Sequence, residues 1–253
     1  MFQEVLFWSE FPEQIDWEKL NVLLKGKQCR IFFASKSKRE FLSYKKRVTI
    51  PSVKIGVWPV LSLEEGYWFS AFMNPRSLKK LEEFRGIPMK IDIEPPFPKK
   101  KYSFCSMLSW LQEYILMRSP PFRKEFHAVI RSLANDGEVI LSGFALPTLF
   151  REQYGDPVHE QYKRNFIFYS TFHLPFLRCY YRLFFLYHRN EYFALGLANH
   201  GIFGNEPEYR SIKEFARDVH WAKKMGIKKI VIYSIEGILK RKDAASWLRI
   251  VFS

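Results

Sequence analysis

Apolar positions along the chain recur with two spacings, and these spacings predict its secondary structure. Short runs rich in branched and aromatic side chains are typical of strands, whereas apolar residues three or four positions apart are typical of helices. The strand-like runs are residues 4–9, 30–34, 53–58, 89–94, 138–143, 165–170, 192–198 and 229–234. The pattern therefore predicts eight strands with helical segments between them.

The helical segments carry local start and stop signals. Ser211 is a plausible N-cap, Pro75 suits a first helical turn, and Gly26 and Gly226 suit helix ends. The predicted helices are residues 16–24, 38–46, 75–84, 104–117, 121–133, 147–153, 174–187 and 211–225. Eight strands alternating with helices predict one α/β domain over residues 1–253, a (β/α)8 TIM-type barrel. An open doubly wound sheet is the alternative, but no glycine-rich fingerprint follows the first strand.

The fourth strand has an unusual polar face. Alternate residues from Met89 to Ile93 are apolar, whereas Lys90, Asp92 and Glu94 share the opposite face. Two prolines follow directly, and proline cannot continue a hydrogen-bonded ladder, so Glu94 should lie at the carboxyl end of the strand. Chemistry in α/β barrels occurs at that end. We therefore expect Asp92 and Glu94 to turn toward the barrel axis at its mouth.

Strand ends supply the remaining candidates for chemistry. These are Ser9, Glu10, Ser35, Trp58, Ser142, Tyr169, Ser170, Asn199, His200, Ser234 and Glu236. Glu236 has the parity of Ile232 and Ser234, so it should enter the mouth opposite Glu94. Such a carboxyl pair could supply a general acid and a nucleophile or base for cleaving a glycosidic bond. The structural alternatives are that Glu94 caps a backbone or pairs with Lys90, and that Glu236 begins a polar loop.

Aromatic residues accompany these carboxyls. Trp8 and Trp58 end strands, Tyr67 and Trp68 lie in the predicted loop 61–73, and Tyr233 ends the eighth strand. Aromatic faces suit stacking on sugar rings. In a chain with 18% aromatic residues, core packing is the competing explanation.

The segment from Ile91 to Glu94 resembles the end of the DxxDxDxE signature on strand four of chitinase-like glycoside hydrolase barrels. The resemblance implies that Glu94 is the proton donor and that Asp92 orients it. Lys90 stands where the signature has its middle aspartate, and Ile87 stands where it has its first. The resemblance covers this strand alone.

A second hypothesis is a metal-dependent hydrolase or isomerase acting on a sugar or phosphorylated metabolite. Asp92, Glu94, His200 and Glu236 include the ligand types of a divalent ion, although no HxH or HExxH spacing is present. Asn199 and His200 are also candidates for substrate binding. The loops 201–205 and 236–237 contain glycines that could approach a phosphate. We expect no cofactor beyond such a divalent ion.

The formal net charge of +14 admits an anionic partner. A third hypothesis is therefore a non-catalytic basic barrel that binds RNA or a protein partner. Neither a zinc finger nor an aromatic RNA-binding signature accompanies the charge, and the basic residues are scattered in short runs. A small-molecule or oligosaccharide substrate remains the main expectation, and the sequence leaves the oligomeric state open.

Cysteine usage predicts the compartment. Cys29, Cys105 and Cys179 are far apart and odd in number, which fits a reducing environment better than a disulfide framework. No secretory pattern opens the chain. The aromatic stretch 166–187 is interrupted by charged residues, Arg182 among them, so we expect no membrane span. Together these features predict a cytoplasmic protein.

Overall fold

Eight parallel strands close into one barrel and follow each other around it in chain order. The computed structural model describes residues 1–94, 120–172 and 178–253. The strands are β1 (Glu4–Ser9), β2 (Cys29–Ser35), β3 (Val53–Pro59), β4 (Met89–Asp92), β5 (Val139–Phe144), β6 (Lys163–Phe168), β7 (Tyr192–Gly196) and β8 (Lys229–Tyr233). Strand β1 pairs with both β2 and β8, which closes the sheet. The predicted (β/α)8 barrel is confirmed.

Helices connect the strands on the outside of the barrel. They are α1 (Trp17–Leu23), α2 (Lys38–Lys45), α3 (Pro75–Lys79), α4 (Arg123–Asp136), α5 (Thr148–Gln153), α6 (Arg178–Tyr187), α7 (Ile212–Lys224), α8 (Ile235–Leu239) and α9 (Ala244–Phe252). Short 3₁₀ turns cover Pro12–Gln14, Lys80–Phe84 and Ser170–Phe172. The predicted helix 104–117 lies outside the described residues, and the predicted helix 174–187 is described from residue 178 onward.

Two predicted helix starts are confirmed. The Ser211 hydroxyl accepts a hydrogen bond from the Glu214 N–H at 3.3 Å, at the start of α7. Pro75 does occupy the first turn of α3, where the Asn74 side chain accepts from the Ser77 N–H at 2.9 Å. The predicted helix 75–84 is shorter than expected, because α3 passes into a 3₁₀ turn after Lys79.

Alternating side chains on the strands divide the core into two layers. On β4, Met89 and Ile91 face outward and belong to an apolar cluster with Leu78 and Phe126 of the surrounding helices. Inside the barrel, a second cluster includes Phe32 and other inward-facing side chains. Position 56 requires glycine, because a Cβ there would lie 2.4 Å from the Phe32 ring. The predicted two-faced character of β4 is confirmed.

Ion pairs close the amino-terminal end of the barrel. The Glu138 carboxylate lies 2.5 Å from the Arg30 guanidinium and 2.7 Å from the Lys163 ammonium. The Tyr192 hydroxyl donates to Glu4 at 2.7 Å. The Glu4 and Glu138 carboxylates therefore both have donors at this end. The candidate catalytic carboxyls lie at the opposite end, the mouth.

None of the described helices is long and apolar enough to cross a membrane. Cys29 is a buried free thiol, and burial raises its pKa to about 12. Cys105 lies outside the described residues.

Candidate active site

Lys90 and Asp92 form a buried ion pair on the inner face of β4. Lys90 is only 1% exposed, and its Nζ lies 2.7 Å from Asp92 Oδ1 and 2.8 Å from Oδ2. The same Nζ lies 3.6 Å from the Trp8 ring centroid and 3.4 Å from that of Trp58. Burial lowers the pKa of Lys90, while the Asp92 carboxylate opposes this shift. The ammonium is therefore held by one carboxylate and two aromatic faces.

Glu94 lies two residues beyond β4 and remains at the mouth. The backbone still follows the sheet here, because the Ile93 N–H donates to the Ser142 carbonyl at 2.8 Å. The Glu94 side chain is 8% exposed. Burial raises its pKa well above the usual value, Asp92 raises it further, and Lys90 opposes them. A raised pKa favours the protonated form of a carboxyl, which is the form that a general acid requires.

Glu10, directly after β1, is a third buried carboxyl at the mouth. Its Oε1 accepts a hydrogen bond from the Tyr67 hydroxyl at 2.8 Å, and its Oε2 contacts the Tyr233 hydroxyl. Burial raises the pKa of Glu10 to about 8, and the Tyr67 hydrogen bond opposes the shift. The sequence placed Glu10 among the strand-end residues without distinguishing it. The available signal was an acidic residue directly after the first strand.

Glu236 is hydrogen-bonded mainly to backbone. It is completely buried, and its Oε1 accepts hydrogen bonds from the N–H groups of Glu10 at 2.9 Å and Phe11 at 3.1 Å. Burial raises the pKa of Glu236, and backbone hydrogen bonds oppose the shift. The residue begins the buried helix α8, which Ser234 caps, and not a polar loop. The pairing of Glu236 with Glu94 stays a prediction.

The aromatic residues proposed for sugar stacking are brought together beneath these carboxyls. Ring centroids of Trp8 and Trp58 are 5.8 Å apart, and Tyr233 lies 6.1 Å from Trp8 and 6.3 Å from Trp58. Tyr67 and Trp68 form a separate edge-to-face pair at 5.6 Å. All five side chains are buried, and two of them, Trp8 and Trp58, pack against Lys90. Their contact with a sugar stays a prediction.

The loop after β7 brings another carboxyl that the sequence analysis missed. Glu206 is buried, its Oε1 accepts from the Phe203 N–H at 2.9 Å, and its Oε2 has no hydrogen-bond partner among the described residues. A Cβ on Gly201 would lie 2.7 Å from Glu206 Oε1, 2.7 Å from the Tyr233 hydroxyl and 3.3 Å from Glu10 Oε2. Only a glycine allows the loop to approach this closely, and no short sequence motif reveals the contact.

Asn199 and His200 lie at the edge of this arrangement. His200 is exposed, and its Nδ1 lies 2.7 Å from the Glu206 carbonyl oxygen. Asn199 packs against α8, where a Cβ on Gly237 would come within 2.6 Å of its own Cβ. Within the described ranges, no group of three or more His, Cys, Asp or Glu side chains is arranged to hold a metal ion. These residues therefore do not form a ligand set for the predicted divalent ion.

A second buried ionic group lies where α5 meets β6, separate from the mouth. Asp156 contacts the guanidinium of Arg164, and the guanidinium of Arg151 lies 3.7 Å away. Arg164 also donates to the Pro157 carbonyl at 2.7 Å. A small void of about 10 Å³ adjoins this group, which is room for roughly one water molecule. The void marks a packing gap beside an ionic cluster, and the mouth carboxyls do not line it.

No protein-family model and no curated protein sequence matches the chain. Among solved structures, it is similar to the PgaB (BpsB) glycoside hydrolase domain from Bordetella bronchiseptica, with a TM-score of 0.59 and 9% identity over 99% of both chains. An uncharacterized B. cereus protein has a TM-score of 0.43 and 14% identity over 98% of this chain and 65% of its own. Dihydropteroate synthase from Anaplasma phagocytophilum has a TM-score of 0.39 and 9% identity over 100% and 98%. The first likeness shows a shared barrel fold.

Proposed function

We propose that the chain is a TIM-barrel hydrolase of glycosidic bonds in which Glu94 is the general acid. The observation that carries the proposal is the buried Glu94 carboxyl at the mouth, next to the Asp92–Lys90 pair. Glycoside hydrolysis requires a proton on the leaving oxygen while the sugar carbon becomes positive. Burial and the neighbouring Asp92 charge raise the pKa of Glu94, which favours the protonated carboxyl that supplies this proton.

Asp92 assists Glu94 in this proposal through its charge. Lys90 holds both carboxylate oxygens of Asp92, which fixes the side chain on the inner face of β4. A fixed negative charge opposes ionisation of Glu94, and it favours the positive sugar that forms as the bond breaks. These are the proton-donating and orienting roles that the resemblance of β4 to chitinase-like barrels implies.

The charge at the mouth supports an uncharged glycan over a phosphorylated substrate. Buried carboxyls of Glu10, Asp92, Glu94 and Glu206 surround the mouth, and the Lys90 ammonium is already paired with Asp92. A phosphate would find carboxyl groups and no free cation in the described part of the mouth, whereas a neutral glycan requires no counter-charge. The net charge of +14 resides elsewhere on the chain, and a nucleic-acid partner remains a separate prediction.

The likeness to a glycoside hydrolase domain supports the proposal at the level of fold only. Barrels of this type host many unrelated reactions, so the assignment depends on the carboxyls rather than on the architecture.

The test is hydrolysis of a panel of neutral oligosaccharides, aryl glycosides and phosphorylated sugars. Glu94→Gln keeps the side-chain shape but cannot donate a proton, so kcat should fall about 10² to 10⁴ fold with little change in thermal unfolding. The matched control is Glu64→Gln, a change at an exposed glutamate, which should keep full activity. No turnover by the parent, or full activity in Glu94→Gln, would contradict the proposal.

A second measurement separates acid catalysis from damage to the fold. A 2,4-dinitrophenyl leaving group departs without protonation, so Glu94→Gln should hydrolyse such glycosides much closer to the parental rate than oligosaccharides. Equal loss on both substrate types would mean that Glu94 has another role.

A further inference from the structure

Glu10 is held in place from three directions. The hydroxyls of Tyr67 and Tyr233 reach its two carboxyl oxygens, one from the loop after β3 and the other from β8. Its backbone N–H donates to Glu236 at 2.9 Å. Glu10 is only 7% exposed, and hydroxyl groups orient both of its carboxyl oxygens. Its side chain is therefore fixed in one orientation, as a reacting group requires.

Glu236 shows the opposite geometry. One of its oxygens accepts two backbone N–H groups, from Glu10 and Phe11, and the side chain is completely buried. An oxygen that accepts from two amides fixes the loop that follows β1, and the complete burial of Glu236 keeps it away from the open part of the mouth. Glu236 therefore supports the segment that presents Glu10.

We propose that Glu10 is the second reacting carboxyl of the mouth and that Glu236 is the residue that positions it. This inference rests on the proposed glycoside hydrolysis. Glu94 gives its proton to the glycosidic oxygen, and the bond electrons leave with that oxygen. Water attacks the sugar carbon from the opposite face, and the Glu10 carboxylate takes the water proton. The proton then returns to Glu94 through solvent, and the product has inverted configuration.

A buried carboxyl beside Glu10 has an oxygen to which a polar ligand could donate. A Cβ on Gly201 would lie 2.7 Å from Glu206 Oε1 and 3.3 Å from Glu10 Oε2, so the Glu206 and Glu10 carboxyls are neighbours. Glu206 Oε2 is buried without a hydrogen-bond partner in the described ranges. A buried carboxyl oxygen in a native protein is normally hydrogen-bonded, and a reacting water or a substrate hydroxyl would satisfy it.

The groups that face Glu10 set the pH at which it can act as a base. Burial, Glu206 and Glu236 raise its pKa, whereas Tyr67 and Lys90 lower it, with a result of about 8. Tyr233 contacts the carboxyl from β8. The fraction of Glu10 in the carboxylate form therefore increases with pH through this region, and the rate should increase with it.

The first test is the pH dependence of kcat/KM on a substrate that the parent hydrolyses. The parental rate should rise with a midpoint of about 8. Glu10→Gln should lose that rise and about 10² to 10⁴ fold in rate. Glu236→Gln retains the acceptor oxygen for both amides, so it should keep the rise and lose less than about tenfold, whereas Glu236→Ala should lower kcat further. A Glu10→Gln enzyme that retains the rise would overturn the inference.

Tyr67→Phe provides a milder variant in case Glu10→Gln fails to fold. Removing the hydrogen bond that lowers the pKa of Glu10 should move the rise to higher pH. A purely structural Glu10 would leave the midpoint where it was, which would also overturn the inference.

The product anomer supplies an independent test. Proton NMR during hydrolysis by the parent should show a product of inverted configuration. Retention would overturn the role of Glu10 as the base that activates water while leaving Glu94 as the acid. Failure of the proposed function is distinguishable, because the parent would then hydrolyse no glycoside at all.

Discussion

Two buried ionic groups in this barrel have opposite charge balance. Beside α5, two guanidinium groups, of Arg151 and Arg164, share the single carboxylate of Asp156. At the mouth, the single ammonium of Lys90 is surrounded by several carboxyls, and burial raises the pKa of Glu10 and Glu94. The first group has more cations than carboxylates, whereas the second has more carboxyls than cations among the described residues.

The difference indicates which group serves stability and which serves chemistry. Arg164 is bound by both the Asp156 carboxylate and the Pro157 carbonyl, which links β6 to the segment that precedes it. The buried carboxyls described at the mouth outnumber the one ammonium, that of Lys90, which can pair with them. Burying such unpaired acids does not stabilise a protein. Titrating groups shifted by burial and by like charges are concentrated at functional sites. The comparison also predicts opposite responses to pH in the two groups.

Removing the Asp156 carboxylate should lower the stability most. Asp156→Asn leaves two buried guanidinium groups without a carboxylate, and we expect a loss of about 3–5 kcal/mol in the free energy of unfolding. The control is Asp136→Asn, which removes the exposed Arg85–Asp136 pair and should cost less than about 1 kcal/mol. Urea unfolding measures both variants. Equal losses in the two would mean that the Asp156 group is not a structural anchor.

Removing the Lys90 ammonium from the mouth should cost slightly less. Lys90→Met leaves Asp92 without a partner, and we expect a loss of about 2–4 kcal/mol near neutral pH. Lys90 lowers the pKa of Glu94 and Glu10, so its removal raises both further, and the loss should increase with pH. Exposed Lys54→Met is the control and should show no such dependence. A deficit that stays constant with pH would contradict the placement of Lys90 among these acids.

The stability of the parent should decrease with rising pH because of Glu10. Its pKa is 4.5 when unfolded and about 8 when folded, so between these values the folded state binds more protons. Linkage then makes stability fall as pH rises, by up to about 1.4 kcal/mol per pH unit. Glu10→Gln removes this dependence, and Glu64→Gln should not. Urea unfolding at several pH values decides, and identical slopes in parent and Glu10→Gln would refute the shift.

The sequence predicted the fold and the orientation of β4 because those signals are local. Polar and apolar residues alternate strictly from Met89 to Glu94, and a register slip would turn Lys90 and Asp92 outward into an apolar layer. The eight strand-like runs each needed only their own composition to be identified. The barrel followed from their number and alternation with helices.

The grouping at the mouth could not be predicted because it depends on contacts between distant segments. Glu236 was placed by strand parity, but Ser234 caps α8 and the chain turns into a helix, so parity ends at Tyr233. Glu206 reaches Glu10 through a close approach at Gly201 that no periodicity encodes. Hydrogen bonds of this kind are properties of the closed barrel rather than of any one strand.

His188 provides the smallest and last test, since it reports the excess of positive charge beside α5. Its ring packs on Phe166 at 4.8 Å and on Phe184 at 4.4 Å. Burial, together with the charges of Arg151 and Arg164, lowers its pKa from 6.5 to about 4. Below pH 6.5 the unfolded state therefore binds more protons, so this group loses stability as pH falls, opposite in sign to Glu10. His188→Phe keeps the ring packing and cannot titrate. Its stability relative to the parent should therefore be greater at about pH 5 than at pH 7. The difference should be less than about 1 kcal/mol, because the ring is half-buried. An NMR titration of His188 near 6.5 would show that the guanidinium groups do not act on it.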